Sequence, residues 1–280
     1  METSFAYPHI CIMKKLFILS LGLIPLLLNA QIIGEQRSIL SLTSSCYQKK
    51  PDVFGSSALI AASAFAEKSQ VGIYGENRFM VKPLSPVRLA MSLPVGKGGI
   101  AFSGNYLGVN GMHLYGLSAG HGLKLSNKLG IGLKIDGGIF SVGHAEKLKM
   151  IGYQSGIIYH LSDKTIGGFH FSNKRYLLSN KFNSPPGAYS VTAGIGHQVN
   201  PAIFISCEII KETDKPVAIA PNLSWNINSA INLKAGLMPP MNDGYIGIGW
   251  HRKKQGFFIG ISSHAYLGFS GAISYMYDIK

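Results

Sequence analysis

From residue 70 to the end, the chain alternates apolar and small or polar residues with a period of two. Val87, Leu89, Met91 and Leu93 are separated by Arg88, Ala90 and Ser92, and Leu129, Ile131, Leu133 and Ile135 by Gly130, Gly132 and Lys134. Successive side chains of a strand point to opposite faces, so this pattern writes one apolar face and one small, polar, scarcely charged face. Fourteen such runs are predicted: 70–79, 86–95, 99–107, 111–125, 129–142, 150–161, 164–173, 187–199, 201–211, 216–227, 229–238, 244–252, 255–264 and 269–279. Most hold ~10 residues, enough for a tilted strand to cross a bilayer.

The connections alternate as well. Every second one is tight: GKG (96–98), SNK (126–128), SDK (162–164), VNP (199–201), INS (227–229) and RKKQ (252–255). Those between them run longer on average, as in MVKPLSP (80–86), GHAEKLKM (143–150), SNKRYLLSNKFNSPPG (172–187) and KETDKP (211–216). A barrel with both termini on one side has short turns there and longer loops opposite. Loop length and hydrophobic period are independent signals, and both predict an all-β transmembrane antiparallel barrel of about fourteen strands over residues 70–280. A closed barrel satisfies its backbone polar groups between strands, which explains why a chain hydrophobic throughout needs no spanning helix.

The segment ahead of the barrel reads in two parts. Lys14 and Lys15 precede the apolar run 16–28 and the small residue Ala30, the layout of a secretory signal peptide cut between Ala30 and Gln31. Residues 1–12 fit an upstream extension before a start at Met13, and residues 1–30 are set aside from the fold. Residues 31–69 form an N-terminal arm: RSILSLTS (37–44) reads as a strand or extended piece and SSALIAASAF (56–65) as a short helix. This arm is either a plug inside the lumen or a periplasmic extension.

Composition narrows the partners. There are 26 Lys+Arg against 13 Asp+Glu, a net charge of +13, with 46% hydrophobic residues and 34 glycines. The cations are scattered through turns rather than gathered in a stripe, and an exported chain does not meet nucleic acid. The expected partners are outer-membrane lipid, including lipopolysaccharide phosphates, and other envelope or secretion proteins.

Nothing in the chain assembles into a catalytic, cofactor-binding or metal site. His170 and Ser172 share one face of a strand, a spacing that could pair a nucleophile with a base at the membrane rim, but no carboxylate stands near to orient the histidine. His113, His121, His144, His160, His197, His251 and His264 form no HExxH pair or cluster. The glycines of GKGG and GIGLKIDGG join strand to strand, not strand to helix, so they are assigned to turns and barrel curvature rather than to phosphate binding. Cys46 and Cys207 show no metal-type spacing and are read as unpaired. Trp225, Trp250, Tyr245, Tyr266, Tyr275 and Tyr277 fall near strand ends or outer faces, where aromatic girdles sit.

Three stretches carry a family resemblance. VGIYGENRFMVKPLSPVRLAMSLPVGKGGIAFSGNYLG (71–108), KLSNKLGIGLKIDGG (124–138) and ISSHAYLGFSGAISYMY (261–277) resemble FadL-like outer-membrane barrels of the PorV/PorQ type found in Bacteroidota. The resemblance implies fourteen strands with an N-terminal segment near the lumen. It departs at residues 56–68, where relatives carry an Asn-Pro-Ala-Gly-Leu-like stretch and this chain reads SSALIAASAFAEK. The expected function is a non-enzymatic outer-membrane conduit for small or hydrophobic solutes. The alternatives are a non-transporting partner of a type IX secretion or surface-attachment machine and, more remotely, a lipid-modifying barrel enzyme.

Overall fold

The computed structural model describes residues 45–81, 84–109, 111–142, 147–177, 187–238, 243–264 and 266–279. The leader (1–30), residues 31–44 and parts of six of the seven loop-end connections lie outside the described residues.

Fourteen strands close into a single antiparallel barrel in which each strand pairs with its sequence neighbours and β1 with β14. They are β1 (Gln70–Asn77), β2 (Val87–Val95), β3 (Gly98–Val109), β4 (Met112–Lys124), β5 (Leu129–Val142), β6 (Leu148–His160), β7 (Thr165–Leu177), β8 (Ala188–Gln198), β9 (Ile203–Glu212), β10 (Ala218–Asn226), β11 (Ile231–Met238), β12 (Asp243–Arg252), β13 (Gln255–His264) and β14 (Gly268–Asp278). The main departure from the predicted ranges is β7, which continues to Leu177 where a loop was expected from residue 172. Its extra residues keep pairing with β6, down to Lys149 opposite Leu177, so a ladder rather than hydrophobicity sets this strand's end.

The tight turns share one piece of chemistry. Ser126 Oγ accepts from the N–H groups of Lys128 and Leu129, and Ser162 Oγ from those of Lys164 and Thr165. Asn200 Oδ1 does the same for Ala202 and Ile203, and Asn228 Oδ1 for Ala230 and Ile231, at 2.8 Å each. A short polar side chain at the turn's start holds the next backbone donors and fixes the register. This is why β9 and β11 begin at Ile203 and Ile231, two residues later than hydrophobicity alone suggests.

The outer face is the alternating apolar set. Ile73, Leu89, Leu117, Leu133, Ile135, Ile209, Ile246, Ile259 and Ile273 are all exposed. At the turn end this belt is bordered by Trp225, Trp250, Phe257 and Tyr275. The ring centres of Trp250 and Phe257 lie 5.7 Å apart, and those of Phe257 and Tyr275 4.7 Å apart. Nearer the loop end stand Tyr106 and Tyr115, 5.0 Å apart, and Tyr153 with Phe171. An aliphatic band between aromatic borders is the surface a hydrocarbon slab requires. Tyr245 corrects the girdle assignment. It faces the lumen and is buried, its hydroxyl donating to Asn222 Oδ1 at 2.9 Å.

The turns also collect charge. Lys97, Lys128, Lys164, Arg252, Lys253 and Lys254 are exposed at four of the six tight turns, and Lys49, Lys50 and Lys68 join them from the N-terminal segment. The exposed carboxylates at this rim are Glu67, paired with Lys50 at 2.7 Å, and Asp163. Nine exposed cations thus share the turn rim, while others, such as Lys147, Lys149 and Arg175, stand at the loop end.

Inside lies the N-terminal segment, so the plug alternative is the one observed. Asp52 caps a short helix, α1 (Val53–Ala58), its carboxylate accepting from Gly55 N–H at 2.6 Å. A 3-10 helix (Ile60–Phe65) follows, and the helix expected over 56–65 is thus broken at Leu59. The break is bridged by the wall. Gln154 on β6 donates to Ala58 C=O at 2.9 Å and accepts from Ile60 N–H at 3.3 Å, on either side of Leu59. Lys134 on β5 donates to Ser57 C=O at 3.0 Å. Tyr47, Val53, Leu59, Ile60, Ala61 and Ala62 are wholly buried.

Candidate functional site: a lumen divided in two

The seat of the segment is made of glycine. A Cβ on Gly120 would come within 2.7 Å of Ile60, on Gly122 within 2.5 Å of Ser63 Oγ and on Gly132 within 2.6 Å of Ala61 N. On Gly156 it would meet Leu59 at 2.8 Å, on Gly168 the Tyr47 ring at 2.9 Å and on Gly72 the Phe54 ring at 2.7 Å. These six glycines lie on five strands, all on the inward face. They clear a bed for the segment, which packs chiefly on β1 through β8; Gly132 of the GIGLKIDGG stretch, assigned from sequence to turns and curvature, belongs to that bed. Cys46 and Cys207 form no disulfide, the first being buried with the segment and the second on the outer face of β9.

Above and beside the segment an apolar septum crosses the lumen. Val53 and Phe54 of α1 cluster with Tyr74, Ala90, Ile210, Ala218, Ala220, Tyr245, Phe258 and Ala272 from seven strands of the wall. Tyr74 donates to Glu76 at 2.7 Å, and Arg78 donates to the same carboxylate at 3.2 and 3.4 Å, all three side chains being buried.

On each side of the septum the lumen is polar. Toward the loops, Arg88, Asn105, Asp136, Ser172 and Ser190 face inward and are half-buried, with Ser103 and Ser118 hydrogen-bonded at 2.6 Å. Toward the turns, on the β9–β12 side, a depression of about 480 Å³ is lined by Pro201, Ala202, Asn226, Asn228, Asn232 and His251. The inward residues Asn232, Lys234 and Ser224 above it are half-buried, and the next paired positions, Asn222, Gly236 and Tyr245, are closed, as is Phe258 of β13.

The sequence-suggested catalytic pair is placed differently from expectation. His170 and Ser172 project from β7 into the lumen, opposite Thr192 and Ser190 of β8, not toward a membrane rim. Of the remaining histidines, His197 bonds Thr165, His113 bonds Tyr106 and His160 lies 4.2 Å from the Phe65 ring. Among the described residues no group of His, Cys, Asp and Glu is arranged to hold a metal ion. Sequence reasoning missed the septum: Tyr245 and Phe258 carry no local mark distinguishing them from girdle aromatics except their parity within the strand.

No protein-family model and no curated protein sequence matches the chain. Solved structures do share its fold. The Pseudomonas putida toluene transporter TodX superposes with a TM-score of 0.57 at 10% identity, over 88% of this chain and 97% of that one. The Ralstonia pickettii toluene transporter TbuX gives 0.56 at 11% identity, over 82% and 95%. A Pseudomonas aeruginosa FadL homologue gives 0.56 at 10%, over 85% and 96%. At such identities the likeness is one of fold.

Proposed function

We propose that this chain is an exported outer-membrane barrel, not an enzyme, that conducts small apolar solutes across the outer leaflet. The observation that carries the reading is the septum. A pore for ions or sugars needs a continuous polar path, because a charged or hydroxylated solute pays a desolvation cost at every apolar layer. Here the polar lumen is interrupted by side chains from α1 and seven strands, a layer an apolar molecule enters without that cost. The fold shared with toluene transporters and a FadL homologue supports the same reading. The segment filling the turn side makes passage conditional on its movement or on a path beside it.

In this reading the tight turns and the termini face the periplasm and the longer loops the exterior. The leader is removed after Ala30, so the mature chain starts at Gln31. The turn-end cations stand beyond the aromatic border at headgroup depth, where anionic phospholipid is their partner. Folding into vesicles containing phosphatidylglycerol should be faster than into neutral vesicles, and equal rates would count against that contact.

The deciding experiment uses cells with a lipopolysaccharide outer leaflet, since plain phospholipid does not hold back apolar solutes. Cells producing the protein should take up labelled toluene several-fold faster than cells lacking it, with no gain for a sugar of similar size. Equal toluene uptake, together with co-purification of other envelope proteins, would replace the conduit with the secretion-partner role. Amino-terminal sequencing of the same preparation checks Gln31.

A further inference from the structure

Lys234 is a cation inside the barrel with no carboxylate on it among the described residues. Its side chain points inward from β11, half-buried, and its Nζ lies 5.6 Å from the centre of the Phe258 ring. No hydrogen bond or ion pair of Lys234 is present among the described residues. The inward carboxylate of β9, Glu208, is buried opposite Ala220, two inward positions above the layer of Phe204 and Ser224. Asp278 is engaged by Lys68 at 2.5 Å and by Gln70 at 2.8 Å.

The surroundings of Lys234 open toward the turns. Two positions below it on β11 is Asn232, which lines the 480 Å³ depression with Asn226 and His251. That size matches a small-molecule site. At its mouth the β12–β13 turn carries Arg252 and, between the strands, Lys253 and Lys254, all exposed. Beside this amide-lined recess, two inward positions along β11 from Asn232, stands the Lys234 ammonium, and three cations lie at the adjoining turn. The rim supplies attraction over the Debye length, and the recess supplies donors at close range.

We propose that this turn-end recess binds a small organic anion, a carboxylate or a phosphate ester, with its charge on Lys234 Nζ and its remaining oxygens accepting from the Asn226 and Asn232 amides and the His251 ring. A neutral sugar fits less well. Sugar sites offer an aromatic face, and the Phe258 face is covered by the ammonium. An anion also cannot pass the septum, so the site serves retention or regulation from the turn side and stands apart from the conduit reading.

The test uses the full folded barrel in detergent with 4-fluorobenzoate as probe, its fluorine resonance followed by NMR, and inorganic phosphate as competitor. Wild type should bind the probe saturably, phosphate should displace it and the neutral 4-fluorobenzyl alcohol should not bind. Lys234→Met, which keeps the stem and removes the charge, should weaken binding roughly tenfold or more, the range of one charge-assisted contact. Lys253→Gln with Lys254→Gln should leave saturable binding in place and reduce only its salt dependence. If Lys234→Met binds as wild type does, or if only the rim variant loses binding, the site is not in the recess and the proposal fails. Absence of saturable binding of either anion to wild type also ends it. Asn232→Leu serves as the second variant should Lys234→Met not fold, and it must lose affinity too.

Discussion

Gly132 on β5 faces Ala61 of the lumen segment so closely that one added carbon would sit 2.6 Å from the Ala61 amide nitrogen. Backbone lies against backbone there, and no flexible side chain can yield. Gly132→Val should therefore unseat the segment at a cost of about 1–3 kcal/mol, while the barrel itself stays closed. Cys46, a buried cysteine outside any disulfide two elements upstream, reports the event. In a Cys207→Ser background, maleimide labelling of Cys46 should rise about tenfold or more. The unboiled protein should keep its shifted mobility in SDS. Unchanged labelling would show that the wall adjusts and that the glycine bed is not needed.

The bond pair from Gln154 makes a second test of the same docking. Its amide satisfies the partly buried Ala58 C=O and the buried Ile60 N–H at the break between the two helices. Gln154→Leu leaves an acceptor and a donor without partners, each worth about 1–3 kcal/mol. Thermal stability should fall and Cys46 labelling rise. Gln154→Glu keeps the acceptor for Ile60 and loses the donor to Ala58, so it should fall between wild type and Gln154→Leu. Equal effects of the two variants would mean that the bond to Ile60 contributes nothing.

Much of this architecture is legible in the sequence because a strand's period is local. Leu129 to Ile135 declare their lipid face without reference to any other strand, and Ser126 and Asn228 declare their turns. What is not legible depends on closure. Gly120, Gly132, Gly156 and Gly168 lie on four strands and read separately as weak strand residues; only the closed wall aligns them beneath residues 47–61. The same holds for charge. Lys97, Lys128, Lys164 and Lys253 are separated by dozens of residues, and the up-and-down path brings their turns to one rim. Tyr245 is inward by its register opposite Gly236 and not by its identity. The candidate site was therefore the less readable part: a septum and a recess consist of residues from many strands, each ordinary in its own window.

Glu76 and Arg78 form a buried pair above the septum, with Tyr74 on the same carboxylate. Removing one partner leaves an uncompensated charge in the lumen, whereas removing both does not. Arg78→Met should destabilise the barrel by about 3–5 kcal/mol. Glu76→Leu combined with Arg78→Met should recover most of that loss. The measurement is the temperature at which the unboiled band converts to the unfolded mobility. A double variant as weak as Arg78→Met would mean that the arginine acts through packing rather than charge.

Two turn positions with nearly the same backbone angle should respond in opposite directions. Gly96 has φ +56° in the β2–β3 turn, with open space around the position a Cβ would take. Lys253 has φ +54° in the β12–β13 turn without glycine's freedom. A left-handed conformation costs an L-residue about 1–2 kcal/mol, and a glycine's extra unfolded-state entropy offsets about 0.5–1 kcal/mol of any relief. Gly96→Ala should lower stability by about 1 kcal/mol through conformation alone, since nothing crowds the added methyl. Lys253→Gly should be neutral to slightly stabilising, by up to about 1 kcal/mol. Urea titration of refolding in one lipid composition compares the two. Loss of stability in Lys253→Gly would indicate that the lysine side chain holds the turn, and the rim charge would then carry a structural as well as an electrostatic part.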